Sequence, residues 1–537
     1  MDIAGPLHTC NRLPLLVLIV GDNFSQFRGR RQLRGLVRQL VLKCDCVVVI
    51  VHYRLGSYGY AFLDHLDKNW IGNQSLADQR SAIEWIYKSA SIFGADSSKI
   101  TVVGVGAGAD ALALNLVTHP SLAHNVARLI LQSGNALNPT ILRRSRDIRR
   151  WSRAYFNTTA DLNLDNFTKV ETMTVRNVIH TISTANSDVP PLIYFGFGPH
   201  GNKQISYDYA VRALKGKNIT VMIGHNLNDG WTTLRPYFSF LPNSRTMIAR
   251  KPLREAVYFF FSDYISDENI ERILQHHSIT SLSKARRSNE EILTYIATKF
   301  VYSSPSRHFA NALADAGIPV YKYEFRGISE YHYTRDQPYK HNVVGDELMF
   351  AFDNISRETF PGQERLAKEM FYYWKNFIQI GNPDPRHVNK TWPLYNTHRK
   401  TITFVENAPQ NALESETEED RFWMNILEKS INDRVAADEK YMAQQRKKFE
   451  VSILMRYLSS ANFERIICEE IYVLLLSGSL GGLLYIAFVR TALWAKGFRA
   501  ITFKKQRRLE ECIYCNMSHR VPANYYSLSA NSSESFF

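Results

Sequence analysis

Hydrophobic positions along this chain follow two patterns. Short unbroken apolar runs stand at Leu13–Val20 (LPLLVLIV), Cys46–Val51 (CVVVIV), Ile100–Val105 (ITVVGV), Leu129–Gln132, Val221–Ile223 and Val320–Phe325. A strand that is apolar at successive positions is buried on both faces. Between these runs lie stretches at helical spacing. Ala77–Phe93 carries Ile83, Trp85, Ile86 and Ile92, with Asp78 near its start, and Asp110–Val117 follows the third run. Such alternation predicts an α/β fold, a mainly parallel sheet with helices on both faces. Pro252–Ile296 reads as several helices in succession, a cap or lid rather than sheet. Glu364–Ile380 and Glu418–Asn432 are amphipathic, with apolar stripes of Phe371, Trp374, Phe377 and Ile378 on one and Phe422, Trp423, Ile426 and Leu427 on the other.

One segment differs in kind. Ile471–Val489 (IYVLLLSGSLGGLLYIAFV) holds no charge over nineteen residues. At a rise of about 1.5 Å per residue a helix of that length crosses a hydrocarbon core of roughly 30 Å. The twenty residues after it contain seven Lys/Arg, Arg490 to Arg508, against Arg456 and Arg465 in the twenty before. The bias predicts a single-pass type I protein with a cytoplasmic C-terminus. The expected organisation is a body over 1–435, a charged juxtamembrane stalk over 436–470, a transmembrane helix over 471–489 and a tail over 490–537. Leu13–Val20, preceded by Arg12, also has the form of a signal-peptide core. The order of motifs below favours the strand.

Composition narrows the choices. The 537 residues are 45% hydrophobic and 22% charged, which excludes whole-chain disorder. The formal net charge is +14, concentrated in part in the tail, and no basic helix with interleaved aromatics tracks a phosphate backbone. Nucleic acid is not an expected partner. Six cysteines (Cys10, Cys44, Cys46, Cys468, Cys512, Cys515) are too few and too scattered for a disulfide framework, and Cys512-x-x-Cys515 lacks a second pair for zinc. No metal or other cofactor is expected. N-x-S/T acceptors stand at Asn23, Asn73, Asn157, Asn166, Asn218, Asn354 and Asn389, weak support for an exported glycoprotein.

The informative junction is Thr101–Ala111 (TVVGVGAGADA), a strand, glycines and a helix start. A hydrolase nucleophile sits in G-x-S-x-G on such a turn. Here the frame is Gly104-Val105-Gly106-Ala107-Gly108, with no serine. Taken alone the glycines could also cradle a dinucleotide, though Ala109 spoils the third glycine of that pattern. Other short motifs stand around it in order. They are Tyr53-Arg54-Leu55-Gly56-x-x-Gly59-Tyr60, Gly72-Asn73-x-x-Leu76-x-Asp78-Gln79, Trp85-Ile86, Phe93-Gly94-Ala95-Asp96 and Ile130-Leu131-Gln132-Ser133-Gly134. Towards the C-terminus follow Trp374-x-x-Phe377-x-x-x-Gly381-x-Pro383, Trp392-Pro393-x-Tyr395 and Arg421-Phe422-Trp423.

In order and spacing these resemble the type-B carboxylesterase/cholinesterase family from about Leu13 to Leu427. The resemblance implies an α/β-hydrolase fold that lacks the family's N-terminal β region. It also implies a nucleophile at Gly106, an acid at Asp229 in Gly224-His225-Asn226-Leu227-Asn228-Asp229-Gly230, and a histidine at Val344 in Val343-Val344-Gly345-Asp346-Glu347-Leu348. Two of these three positions cannot do the chemistry. The oxyanion loop would be Gly21-Asp22-Asn23-Phe24, where the Asp22 carboxylate opposes the charge such a loop stabilises. A slipped loop could bring in His341 instead. Without a histidine, Asp229 reads as a structural acceptor or a solvated loop residue, and His225 and His341 as loop histidines. The cysteine that the family places before its Phe-Trp pair is Asp420, which puts that disulfide in doubt.

Loss of the triad together with one membrane span resembles the family's non-catalytic adhesion branch, the neuroligin- and gliotactin-like proteins. It implies a catalytically inactive plasma-membrane protein with an extracellular protein partner, neurexin-type or other. A homodimer built on the two stripes and a tail bound to a PDZ scaffold through Ser535 and Phe537 are also expected. The other readings are a membrane-tethered ester hydrolase and a pseudoenzyme that binds a small ligand.

Overall fold

The computed structural model describes residues 1–6, 12–21, 30–55, 59, 73–141, 205–234, 252–262, 264–279, 288–327, 343–352, 363–385, 392–405, 412–433, 436–437 and 440. The chain divides into two compact units, Met1–Asp438 and Glu439–Phe537. The expected span at 471–489 and the tail lie outside the described residues. Among the described residues no helix is long and apolar enough to cross a membrane.

The first unit is built on a nine-stranded sheet. In chain order its elements begin with β1 (Asp2–Ala4), β2 (Leu13–Gly21), α1 (Arg30–Cys44), β3 (Val47–Ile50) and α2 (Gln74–Ser89), which continues as a short 3-10 turn to Phe93. Then come β4 (Ala95–Gly106), α3 (Ala107–Thr118), β5 (Arg128–Gln132), α4 (Tyr207–Leu214) and β6 (Thr220–Asn226). Helices α5 (Leu253–Phe261), α6 (Asp267–Ile279) and α7 (Asn289–Ala297) precede a π-helical segment, Thr298–Ser303, that runs directly into α8 (Ser304–Asp315). The unit ends with β7 (Val320–Phe325), α9 (Glu347–Ala351), α10 (Glu364–Ile380), α11 (Tyr395–His398), β8 (Thr401–Phe404), β9 (Ala412–Glu414) and a helix over 418–433, α12. The strand order is β1-β3-β2-β4-β5-β6-β7-β8-β9, parallel except for antiparallel β1 and β9 at the two edges.

All six expected strands form. β4 and β6 extend beyond the unbroken apolar runs, because their ends pair through polar residues as well. Alternate side chains feed two core layers. Leu15, Val17 and Ile19 pack on one face beneath α2, α3, α4 and α8, while Leu16 and Leu18 pack on the other beneath α1 and α10. A third core gathers α5, α6, α7 and α12, the expected cap helices with the last helix. Trp85 and Ile92, placed on the apolar stripe by spacing, are instead 44% and 78% exposed. Trp85 finds partial cover against Phe93 at 5.8 Å between ring centroids.

The stripes assigned to a homodimer face inward. Trp374, Phe377 and Ile378 are buried in the sheet layer, and Trp423, Ile426 and Leu427 in the cap core. Phe371 and Phe422 are half-buried against the same clusters. Most of their apolar area is removed from water within one subunit. Cys44 and Cys46 are buried free thiols. Of the glycan acceptors, Asn73 is buried, Asn218 is exposed just before β6, and Asn23, Asn157, Asn166, Asn354 and Asn389 lie outside the described residues.

Where the family places a cysteine, Asp420 forms an ionic link. It accepts from Arg307 Nη2 at 3.0 Å, and Lys299 Nζ lies 3.8 Å away. This ties α12 to the π segment and α8. Burial opposes the charge, yet Arg307 and Lys299 hold the Asp420 carboxyl down at about 2, below its ordinary 3.8. Its contribution is present above pH 3.8 and is lost as pH falls towards 2. Removing one partner of a buried pair leaves the other uncompensated. Asp420→Asn is therefore expected to lower unfolding free energy by about 3 kcal/mol in urea titration. A loss under about 0.5 kcal/mol, the usual size for a surface change, would show that the link is solvated.

Candidate active site

β4 turns into α3 at Gly106, whose φ of 55° and ψ of −123° lie where L side chains are strained. This is the sharp strand-to-helix turn on which a hydrolase would carry its nucleophile. Close packing fixes it. A Cβ on Gly108 would collide with the Ile19 carbonyl, and one on Gly134 with the Gly106 carbonyl. Gly21 lies opposite Gly106 in the β2–β4 register, so the start of the expected oxyanion loop adjoins the elbow. Asp22, Asn23 and Phe24 lie outside the described residues, as does His341.

Asp110, in the first turn of α3, anchors the elbow from behind. Its Oδ1 accepts from Asn135 N at 2.8 Å, and Asn138 Nδ2 reaches both carboxylate oxygens at 3.4 and 3.5 Å. Burial pushes its pKa up to about 8, with the Asn135 and Asn138 bonds opposing. Ser133, next to Gly134, is a buried non-glycine residue at φ 56°.

The structure brings the three triad-like positions into one region. Asp229 follows β6 and is wholly buried, with Oδ2 accepting from Asn226 N at 2.8 Å. Of the two readings open to it, the structural acceptor is the one observed. Val344 packs against both the sheet layer and the cap core, so an apolar contact fills the place of the histidine. A Cβ on neighbouring Gly345 would lie 3.8 Å from Val105 Cγ1, which sets this loop against the elbow. Spacing marked His225 as a loop histidine; it belongs to β6 and is buried.

Sequence reasoning did not anticipate the residue that stands beside the Asp229 carboxyl. Glu347, also wholly buried, accepts from Asn226 Nδ2 at 2.5 Å and from Gly345 N at 3.1 Å. Asn226 thereby joins two carboxyl groups. Asp229 Oδ1 and Glu347 Oε1 have no hydrogen-bond partner among the described residues. Burial drives Asp229 well above the ordinary carboxyl range, and Glu347 beside it adds to the rise. Burial likewise pushes Glu347 up to about 7, with Asp346 contributing. Two buried carboxyls with a single amide between them retain a proton. The signal was present in the repeated acids of Asp346-Glu347, but spacing does not tell which acid turns inward. No group of three or more His, Cys, Asp or Glu among the described residues is placed to hold a metal ion.

The elbow at Gly106 presents no side chain, and His341 lies outside the described residues. The retained proton has a measurable consequence. Glu347 is raised from 4.5 to about 7, so between these values the folded chain holds a proton that the unfolded chain has released. Stability falls as pH rises through that window, by about 1.4 kcal/mol per unit for one such group. Glu347→Gln mimics the protonated form and is expected to lessen the slope between pH 5 and pH 7 in urea titrations, leaving the share due to Asp110 and Asp229. An unchanged slope would place the proton elsewhere.

Comparisons with known proteins agree with this geometry. The carboxylesterase family model matches residues 1–423. The chain is 23% identical to the liver carboxylesterase of Sus scrofa over 78% of its own length and 74% of that protein. It is 25% identical to the acetylcholinesterase of Bungarus fasciatus over 83% of its length and 74% of that protein. In three dimensions it resembles PNB esterase at a TM-score of 0.59 and 20% identity, covering 79% of this chain and 84% of that one. A thermophilic PNB esterase gives the same TM-score. With a mostly parallel sheet, the elbow after β4 and a family match over most of its length, the chain has the α/β-hydrolase fold and belongs to the carboxylesterase family.

Proposed function

We propose that this chain is a catalytically inactive carboxylesterase-family protein, displayed on the plasma membrane, that works by binding an extracellular protein partner. The observation that carries this reading is Gly106: the elbow keeps the nucleophile's backbone conformation and presents no side chain. Val344 supports it by turning the histidine position into a packing contact. The span at 471–489, its flanking charge bias and the exposed acceptor at Asn218 support a type I topology. On this reading the chain stands with the neuroligin- and gliotactin-like branch, neurexin-type proteins being one class of partner. A homodimer, if formed, would use outward groups such as the exposed Ile380, since the larger stripes are spent inside.

The relatives named above as a carboxylesterase and an acetylcholinesterase make ester hydrolysis the reading to exclude. The full chain is expected to leave a fluorophosphonate probe unreacted and to hydrolyse acetylthiocholine and nitrophenyl esters at the buffer rate. Removing triad members typically leaves roughly 10³–10⁴ over water from the oxyanion hole and binding. An altered hole removes that residue too. Probe labelling, or turnover abolished by His341→Ala, would establish the membrane-tethered hydrolase instead.

The tail carries a second, independent element. The chain ends in Ser535-Phe536-Phe537, a hydroxyl two residues before an apolar C-terminus. A PDZ domain adds such an end to a sheet edge and seats the last side chain and carboxylate. A peptide of the last ten residues is expected to bind within a PDZ array, and a copy extended by one glycine to lose binding. Binding that survives the added glycine, or none to any domain, would remove the scaffold from the proposal.

A further inference from the structure

A second buried polar cluster lies outside the elbow. On the sheet face that carries Val221, Ile223 and Val320, the strands β6 and β7 end in His225, Lys322 and Glu324 instead of apolar residues. His225 stands directly opposite Glu324 in the parallel register, with Lys322 one step back on the same face. Helix α8 packs over both strands and the π segment over β6. They bring Arg307 and Lys299 above the cluster, with Asp420 of α12 between these two cations. A single turn of π-helix inside a longer helix often marks a functional site.

Charge and hydrogen bonding in this cluster do not balance. Lys322, His225 and Arg307 are 1%, 3% and 8% exposed. Glu324 is bonded through both oxygens by Arg326, which also holds Glu414. Asp420 is shared by Arg307 and Lys299. Among the described residues Lys322 forms no ion pair of its own, though Glu324 and Asp420 act to keep it charged. Arg307 Nη1, His225 Nδ1 and Ser306 Oγ are buried with no hydrogen-bond partner among the described residues. Burial, and then the nearby Arg307, push Lys322 down to about 7 from its ordinary 10.5. Burial, and then Lys322, push His225 down to about 3, so its ring is neutral and in one tautomer offers an N–H. The surplus is therefore of donors and positive charge.

We propose that this buried cluster of Lys322, Arg307 and His225 beneath the π segment binds one small monovalent inorganic anion of the halide class. Such an ion supplies the charge the cluster lacks and accepts from the unpaired Arg307 and His225 groups. It also accounts for a buried lysine and arginine on the same side of an otherwise apolar sheet layer. A carboxylate-bearing molecule has the same charge, but the near-complete burial of all three donors favours an ion without a carbon frame.

The test is thermal unfolding of the full chain in detergent, in chloride and in gluconate at equal ionic strength. Stabilisation by a ligand that binds only the folded state grows as ln(1 + [L]/Kd) and depends on that ligand alone. Chloride and bromide are expected to raise Tm by several degrees with a saturable midpoint, and gluconate not to. The rise is expected to be larger at pH 6 than at pH 9, because Lys322 carries its charge at the lower pH. Lys322→Met removes the buried cation and is expected to abolish the halide response while keeping Tm in gluconate at or above that of the parent. Should Lys322→Met fail to fold, ³⁵Cl line broadening on the unmodified chain, displaced by bromide, reads the same site. Equal Tm in the two salts with no displaceable broadening overturns the proposal. A halide response that persists in Lys322→Met overturns it as well.

Discussion

The turn at Gly106 is the constraint on which the rest of the first unit depends. β4 sits mid-sheet with β2 and β5 on either side, and α3 must start within one residue of its end. That geometry allows only a positive φ, and the near contacts of Gly108 with Ile19 and of Gly134 with the Gly106 carbonyl leave no slack. In an active hydrolase a serine would bear the resulting strain, a cost of order 1–3 kcal/mol retained for chemistry. Glycine relieves it.

The same logic runs through the neighbouring positions. A histidine at Val344 would need a polar partner and room to turn; valine joins the sheet layer to the cap core. Asp229 accepts from the Asn226 backbone N–H, while the Asn226 side chain donates to Glu347. Leaving two carboxylates charged in that place would cost several kcal/mol each, so the Asp229–Glu347 pair retains a proton.

Legibility in the sequence followed how local the determining physics is. The inner strands were readable because burial on both faces demands unbroken apolar runs such as Cys46–Val51. The elbow was readable because its glycines are contiguous. Helix α1 was not, since Arg30–Cys44 mixes five basic residues into its apolar spacing, and the edge strands β1 and β9 are only three residues long. Amphipathic stripes told that α10 and α12 bury one face, but a stripe does not name what covers it. Both turned out to cover the subunit's own core. Glu347 and the His225–Lys322 cluster were illegible because they depend on register between strands far apart in the chain.

The His225–Lys322 cluster and the Asp420 link place buried polar groups outside the elbow. Buried ion pairs seldom add stability over apolar residues of equal size, because desolvation offsets their attraction. A charged layer beneath α8 therefore needs a reason other than cohesion. Arg307 belongs to both features: Nη2 holds Asp420 of α12, and Nη1 is buried with no hydrogen-bond partner among the described residues. Whatever neutralises the inner lysine thus acts on the same helix that anchors the cap to the sheet.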